Sequence, residues 1–175
     1  MGGFGQKRQE KKGSSKKLLK LSEKDLKVKS INSHIKGNLD EAEKGYIIFL
    51  KNGFYDADIF SNYALICEGK GEISKAIKLY EKCILSYPSH IYSKLNLSFL
   101  YYKLNELEKA ERIIEDAIKL KPNLPNCHCI KGLILKSLNK YKESKNSFEK
   151  ALEIDDNYID AYINLGLLNK DSNNY

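Results

Sequence analysis

Small and bulky side chains recur along this chain at one fixed interval. The small residues, spaced 34 apart, are Ala42, Ala76, Ala110 and Ser144. Bulky residues follow four positions later at Tyr46, Tyr80, Ile114 and Phe148, and the series continues three positions further at Phe49, Cys83, Ala117 and Ala151. Positions i, i+4 and i+7 share one face of a helix, so each set predicts an amphipathic helix with a single packing stripe. We expect Ala110 and Ala117 to be nearly fully buried where helices approach closely.

Turn residues recur in phase with these helices. Gly37, Gly71, Asn105 and Asn139 stand five positions before the small residues. Glycine and asparagine tolerate the left-handed conformation that ends many helices, so another helix is predicted before each turn. Pro88 and Pro122 also stand 34 positions apart, and we expect each to mark the end of a helix pair. The pattern predicts antiparallel pairs at about 23–53, 57–87, 91–121 and 125–155, followed by a single helix from about 158.

These markers resemble the tetratricopeptide repeat, a helix-turn-helix unit of about 34 residues with aromatic, Leu-Gly, Tyr, Ala and Pro positions. The resemblance covers roughly residues 23–175 and implies an all-α fold, a right-handed α-α superhelix of stacked helix pairs. Lys29 and Lys131 depart from the pattern at its leucine-type position, whereas Ser30 and Ser98 beside that position are small enough for close packing. The first pair, where Lys29, Ser30 and Ser33 replace apolar residues, is expected to be irregular.

The resemblance divides the chain into a basic tail, residues 1–22, and a repeat domain, residues 23–175. The repeats are expected at about 23–56, 57–90, 91–124 and 125–158, with a partial repeat at 159–175. Residues 1–29 hold ten Lys or Arg and three Asp or Glu, whereas residues 30–175 hold twenty of each, so the net charge of +7 belongs to the N-terminal end. We expect the tail to be disordered, because it is rich in lysine and poor in aromatic residues.

The basic tail has two interpretations. A solubilising arm is favoured, because no groove-reading motif or interleaved aromatic residues accompany the lysines. Weak contact with nucleic acid or an anionic membrane, through release of counterions, is the alternative. The opening MGGFG, followed by a lysine-rich stretch and repeats, is also similar to a group of cyanobacterial repeat proteins. Some members of that group continue into a sulfotransferase, methyltransferase or glycosyltransferase domain.

The sequence shows no phosphate-binding glycine loop, no nucleophile elbow and no metal-binding His-Glu helix. We predict a protein that is not an enzyme and has no cofactor, no metal and no small-molecule substrate. Cys127 and Cys129 flank His128, but residues two apart point to nearly opposite sides of a helix and cannot chelate together. We expect buried, reduced thiols and histidines without a catalytic partner. No apolar segment suits a signal peptide or a membrane span, which favours a cytoplasmic location.

In the tetratricopeptide family the second, fifth, sixth, ninth, twelfth and thirteenth repeat positions line a concave groove. In the middle repeat these positions hold Tyr92, Leu95, Asn96, Phe99, Tyr102 and Lys103. Asparagine recurs at the sixth position as Asn62, Asn96 and Asn164, with Ile130 between them. This asparagine ladder resembles that of the repeat domain of O-linked N-acetylglucosamine transferases, which implies a grip on the backbone of an extended peptide. The alternative is that each asparagine bridges neighbouring helices.

Two functions follow from this pattern. The first is a non-catalytic scaffold that binds a peptide or protein partner in the groove. The alternative is a targeting module for a transferase on a separate chain, because 175 residues leave little room for a catalytic domain. A clamp for a C-terminal carboxylate in the groove is disfavoured, since only Lys103 and Lys136 are placed to supply its cations. The final helix, which carries Leu165 and Leu168, either caps the stack or supports weak self-association.

Overall fold

The computed structural model describes residues 22–172 of the chain, and all the regular structure there is helical. The helices are α1 (Glu23–Ile35), α2 (Leu39–Lys51), α3 (Ala57–Gly69), α4 (Ile73–Ser86), α5 (Ile91–Lys103), α6 (Leu107–Leu120), α7 (Pro125–Ser137), α8 (Tyr141–Ile154) and α9 (Ile159–Ser172). None of these helices has the length and apolar character needed to span a membrane. The first eight pack as antiparallel pairs, and α9 packs on the last pair. The predicted all-α superhelix of helix pairs is confirmed.

The predicted basic tail lies outside the described residues except for Ser22, whose hydroxyl accepts a hydrogen bond from the Asp25 N–H at the start of α1. The same holds for the MGGFG start and for the proposed contacts of the tail. The division of the chain into a tail and a repeat domain therefore stays a prediction.

The four predicted turns have the backbone conformation that their residue types favour. Gly37 and Gly71 have φ angles of 79° and 77°, and Asn105 and Asn139 have φ angles of 58° and 60°. In each turn the following N–H donates to a carbonyl five residues back, as Asn38 does to Ser33 at 2.9 Å. This bond satisfies a carbonyl at the helix end that would otherwise lack a partner. The same backbone hydrogen bond therefore ends the first helix of each of the four pairs.

The packing stripe of each second helix forms the centre of the core. All members of the stripe are fully buried, namely Ala42, Tyr46, Phe49, Ala76, Tyr80, Cys83, Ala110, Ile114, Ala117, Ser144, Phe148 and Ala151. Two hydrogen bonds tie the paired helices together where they approach most closely. Ser98 Oγ donates to the Ala110 carbonyl at 2.8 Å, and Ser144 Oγ donates to the Gly132 carbonyl at 2.7 Å. The register predicted from the sequence is confirmed.

The first pair is more regular than expected. Ser30 is buried against α2, where a Cβ added to Gly45 would lie 2.1 Å from its Oγ. Its hydroxyl donates to the Leu26 carbonyl at 2.6 Å, so the polar group needs no other partner. The two helices approach closely at Ser30 and Gly45, and this contact takes the place of the missing apolar side chains. The first pair therefore departs from the pattern only in its side-chain composition.

The stack curves around its first helices. Successive first helices α1, α3, α5, α7 and α9 contact one another, whereas among the described residues each second helix contacts only first helices. A stack whose helices lie closer together on one side than on the other is concave on the side where they are closer. The first helices therefore line the concave surface, and the second helices form the convex surface.

The apolar surface of α9 differs from the prediction. Leu168 is 2% exposed, and Leu165 packs beside it against the cluster around Phe148. These two leucines attach α9 to the stack, so they are not the surface for self-association. The exposed face instead carries Ile163 and Leu167, which are 55% and 49% exposed. A four-residue step places these two side chains on one stripe.

Candidate functional site

The middle of the concave surface carries the aromatic side chains expected from the sequence. On α5, Tyr92 is 59% exposed and Phe99 is 37% exposed. The rings of Phe99 and Tyr102 stack with centroids 5.8 Å apart. The Lys103 ammonium lies 5.2 Å from the Phe99 centroid and forms an ion pair with Glu68 of α3. The groove presents aromatic surface here, and its nearest lysine is already paired with a carboxylate.

Leu95 does not belong to the accessible groove. It is 4% exposed and lies in the hydrophobic core. The same repeat position is also buried at Ser61 and Cys129. We attribute this to the contact between successive first helices, which covers the fifth repeat position. Residues at this position set how closely pairs stack, and they offer almost no surface to a partner.

A row of apolar side chains that we did not predict from the sequence runs along the concave surface. It occupies the ninth position of every repeat and consists of Ile31, Leu65, Phe99, Leu133 and Leu167. Ile31 and Leu133 are half-buried, whereas the other three are exposed. The signal was present in the sequence, because the five residues recur at the same interval as the packing stripe. We call this set the apolar row.

The asparagines of the predicted ladder lie beside buried tyrosines of the preceding pair. Burial raises the pKa of Tyr46 to about 12, and the Asn62 amide near its hydroxyl opposes that shift. Burial also raises the pKa of Tyr80, and Asn96 opposes the shift in the same way. The Tyr80 hydroxyl has no hydrogen bond of normal length within residues 22–172. The hydrogen-bond partner of the Tyr46 hydroxyl is His34 Nδ1, at 3.0 Å. Asn62 and Asn96 therefore lie beside the two hydroxyls, and their bridging role stays a prediction.

A correlation within the sequence points to the same role. Asn62 follows Tyr46 at the same distance along the chain as Asn96 follows Tyr80. In the next repeat this pair of positions holds Ile114 and Ile130, so the polar pair has become an apolar pair. In the last repeat Phe148 offers no hydroxyl, and the side chain of Asn164 donates instead to the carbonyl of Asp160, one turn earlier, at 2.7 Å.

The C-terminal part of the groove contains a cleft of about 330 Å³ between α5, α7 and α9. Phe99, Leu133 and Asn164 are among its lining residues, as is Cys129, which is 4% exposed. Burial raises the pKa of the Cys129 thiol to about 11, so the thiol is protonated and inert near neutral pH. Lys136, the other lysine assigned to the groove, is half-buried on α7. The lining thus combines apolar side chains with the Asp160 carboxylate and the amides of Asn126 and Asn164.

One histidine has neighbours that the sequence did not predict. His90 Nδ1 lies 3.7 Å from Cys83 Sγ, and Nε2 lies 3.5 Å from Asp58 Oδ1, as in a cysteine nucleophile with its base. However, Cys83 is fully buried and burial raises the pKa of its thiol, whereas a nucleophile needs an accessible thiolate. Nδ1 also accepts a hydrogen bond from the Ser93 N–H at 3.3 Å, which caps α5. The cluster is therefore structural.

One group of potential metal ligands occurs within the described residues. Oxygen atoms of Glu43 and Glu72 and the sulfur of Cys67 lie within 4.8 Å of one another. Lysines already neutralise both carboxylates, because Lys70 pairs with Glu43 at 2.7 Å and Lys75 pairs with Glu72 at 2.7 Å. Lys75 also lies 3.7 Å from Glu43. We interpret this group as an ion-pair network that joins neighbouring helix pairs.

A curved stack of helix pairs with a constant repeat length defines a helical-repeat protein. Two family models identify the kind of repeat. A tetratricopeptide-repeat model matches residues 69–132, and a TPR-repeat model matches residues 132–172. Together the models span more than half of the chain, which belongs to the tetratricopeptide-repeat proteins.

Solved structures of bacterial repeat proteins share this fold. MamA from Desulfovibrio magneticus RS-1 has a TM-score of 0.76 and 16% identity, with 86% of this chain and 85% of that chain covered. A tetratricopeptide repeat protein from Parabacteroides merdae has a TM-score of 0.75 and 23% identity, with coverage of 87% and 61%. A thermophilic TPR protein from Thermus thermophilus has a TM-score of 0.69 and 20% identity, with coverage of 84% and 81%. The likeness shows the fold alone. No curated protein matched the sequence.

Proposed function

We propose that this chain is a non-catalytic scaffold that binds a peptide segment of a partner protein in its concave groove. The apolar row is the observation that carries the proposal, because Leu65, Phe99 and Leu167 are exposed along one concave surface. Single exposed apolar residues are common on protein surfaces, but a repeated row in a groove is typical of an interaction site. Tetratricopeptide repeats are typically protein-interaction modules, which agrees with this proposal.

The spacing of the row constrains the partner. Packed helices have axes roughly 8–10 Å apart, so neighbouring members of the row lie at about that interval. A chain in the extended polyproline II conformation advances about 3.1 Å per residue with three residues per turn, so every third side chain would face the next member of the row. We therefore expect an extended segment with apolar side chains at every third position. The Asn62 and Asn96 amides add polar contacts at the edge of the row, but their tyrosine neighbours make them secondary to it.

Removing the exposed rings of the groove should weaken this binding. Peptides selected from a random library against the parent chain provide the ligand, and calorimetry measures the dissociation constant. We expect Tyr92→Ala with Phe99→Ala to raise that constant at least about tenfold, which corresponds to about 1.4 kcal/mol. Helical content measured by circular dichroism should not change, because both rings are exposed.

The matched control for this experiment is Ile48→Ala with Leu120→Ala. These residues are 49% and 46% exposed and lie on second helices, away from the groove. We expect the control to bind like the parent. Equal binding by the groove variant would place the peptide elsewhere on the molecule.

We place this scaffold in a reducing compartment, the cytoplasm. All four cysteines are buried and unpaired. Proteins of oxidising compartments commonly use cysteines in disulfides, whereas buried free thiols suit a reducing environment. The thiols act here as small apolar side chains of the core.

We also propose weak self-association through the exposed face of α9. At the fifth repeat position Ile163 is 55% exposed, whereas its equivalents Leu95 and Cys129 are 4% exposed beneath a neighbouring helix. The Cβ position of Gly166 is open as well, whereas a Cβ at the equivalent Gly132 would meet the Phe148 ring at 2.5 Å. The face has the composition of a packing surface.

Light scattering at increasing protein concentration tests this proposal. We expect the parent to show a rising apparent mass at high micromolar concentration, and Ile163→Glu with Leu167→Glu to remain monomeric, because two charges would be buried in the contact. Lys170→Glu, on the same helix, should associate like the parent. A parent that stays monomeric would show that α9 only caps the stack.

A further inference from the structure

The cleft between α5, α7 and α9, which we call the C-terminal cleft, carries charge of one sign. Among the described residues that line it, only Asp160 has a charged side chain. Phe99, Ile130 and Leu133 supply apolar surface to the same lining. Burial raises the pKa of the Cys129 thiol in this lining, and the nearby Asp160 carboxylate adds to that shift. A carboxylate thus lies beside the apolar side chains of the cleft.

The equivalent aspartate three repeats earlier already has a cation. Asp58 occupies the same repeat position as Asp160, and the Lys27 ammonium pairs with it at 3.4 Å. The same ammonium pairs with Asp56 at 2.5 Å. Lys27 belongs to the preceding helix pair, and the residue at its repeat position before Asp160 is Cys129. A neutral thiol therefore stands where the first pair supplies an ammonium group.

The Asp160 carboxylate has no cationic partner within the described part of the chain. The Lys103 ammonium lies over the Phe99 ring at the cleft, but it is paired with Glu68 of α3. A second acceptor is close to the carboxylate, because the Asn164 side chain donates to the Asp160 carbonyl at 2.7 Å and retains its amide oxygen. The polar part of the cleft can therefore accept hydrogen bonds from a cation.

A long basic side chain matches both parts of this lining. Lysine and arginine bury an apolar stem along apolar surface while their charged end reaches a polar group. Here the stem would pack on Ile130 and Leu133, and the charged end would donate to Asp160. An acidic side chain would be repelled by Asp160. A purely apolar side chain would remove water from that carboxylate without supplying a partner.

We propose that the C-terminal cleft takes a lysine or arginine side chain of the peptide that lies in the concave groove. This inference rests on the proposed function, because it assigns one side chain of that same peptide. The partner segment then combines apolar side chains for the apolar row with a basic side chain for the cleft. Its cation takes, beside Asp160, the place that Lys27 takes beside Asp58.

Calorimetry with paired peptides tests the proposal. The probe is a peptide selected from a random library against the parent chain, compared with versions in which norleucine replaces each lysine or arginine in turn. We expect one replacement to weaken binding at least about threefold, as for an ion pair near the surface. This difference should shrink as the salt concentration rises. Selected peptides that lack basic residues would overturn the proposal.

Two variants assign the effect to the cleft. In Asp160→Asn the selected peptide and its norleucine version should bind alike, because the partner of the cation is lost. The matched control is Asp58→Asn, which removes a charge from the same repeat position where Lys27 already pairs with it. We expect this control to keep the parent's preference for the basic peptide. Loss of the preference in both variants would assign it to the overall charge of the groove and overturn the proposal.

The same measurements separate this proposal from the proposed function. If Tyr92→Ala with Phe99→Ala weakens peptide binding but Asp160→Asn keeps the preference for the basic peptide, the peptide lies in the groove and only the assignment of the cleft is wrong. If the ring variant binds like the parent, the groove itself is not the site and both proposals fail. Circular dichroism should show the parent's helical content in Asp160→Asn, because this side chain is exposed.

Discussion

Replacing Phe148 with alanine is expected to lower the free energy of unfolding by about 3–5 kcal/mol. The ring is fully buried in the C-terminal cluster, where it packs with Cys129, Ala161 and Leu168. It also lies directly on Gly132, where an added Cβ would be 2.5 Å from the ring. No neighbouring side chain can fill the space that the ring leaves, because the residues around it are small or fixed on helices.

Urea denaturation followed by circular dichroism measures this effect. The matched control is Phe99→Ala, which removes the same ring from a position that is 37% exposed, and we expect a loss of about 1 kcal/mol or less. Because the C-terminal cluster is separate from the main core, α8 and α9 should unfold before the other helices in Phe148→Ala. A Phe148 variant no less stable than the Phe99 control would contradict the assigned packing.

The sequence predicts the helix pairs well because several independent constraints share one period. Asn105 and Asn139 hold positive φ angles, which few residue types tolerate, so the turns can be located from residue type alone. Ala110 and Ala117 are fully buried, since only small side chains allow close helix approach. Turn chemistry and packing volume thus give the same register in each repeat.

The candidate site was less predictable because exposure depends on neighbouring helices. Helical periodicity places Leu95 and Phe99 on the same stripe, yet the first is 4% exposed and the second is 37% exposed. The difference arises from the covering first helix, which a single amphipathic pattern does not describe. The contact of His90 with Cys83 and Asp58 was missed for a related reason, because these residues come from three different segments of the chain.

Replacing Ala110 with leucine is expected to lower the free energy of unfolding by about 1–3 kcal/mol. Ala110 is fully buried at the closest approach of α5 and α6, and its carbonyl accepts the Ser98 hydroxyl at 2.8 Å. A larger side chain would push the helices apart, lengthen this bond and disturb the buried Ile114 on the same stripe. The position is central in the stack, so its neighbours on both sides resist relaxation.

Urea denaturation of Ala110→Leu and of Ser74→Leu compares the same added side chain at a buried and at an exposed helical position. We expect Ser74→Leu to change stability by about 0.5 kcal/mol or less, because nothing is displaced on the exposed surface of α4. If Ala110→Leu matched this control, α5 and α6 would have room that the structure does not show. A loss confined to Ala110→Leu would confirm that small residues at this repeat position hold the pairs together.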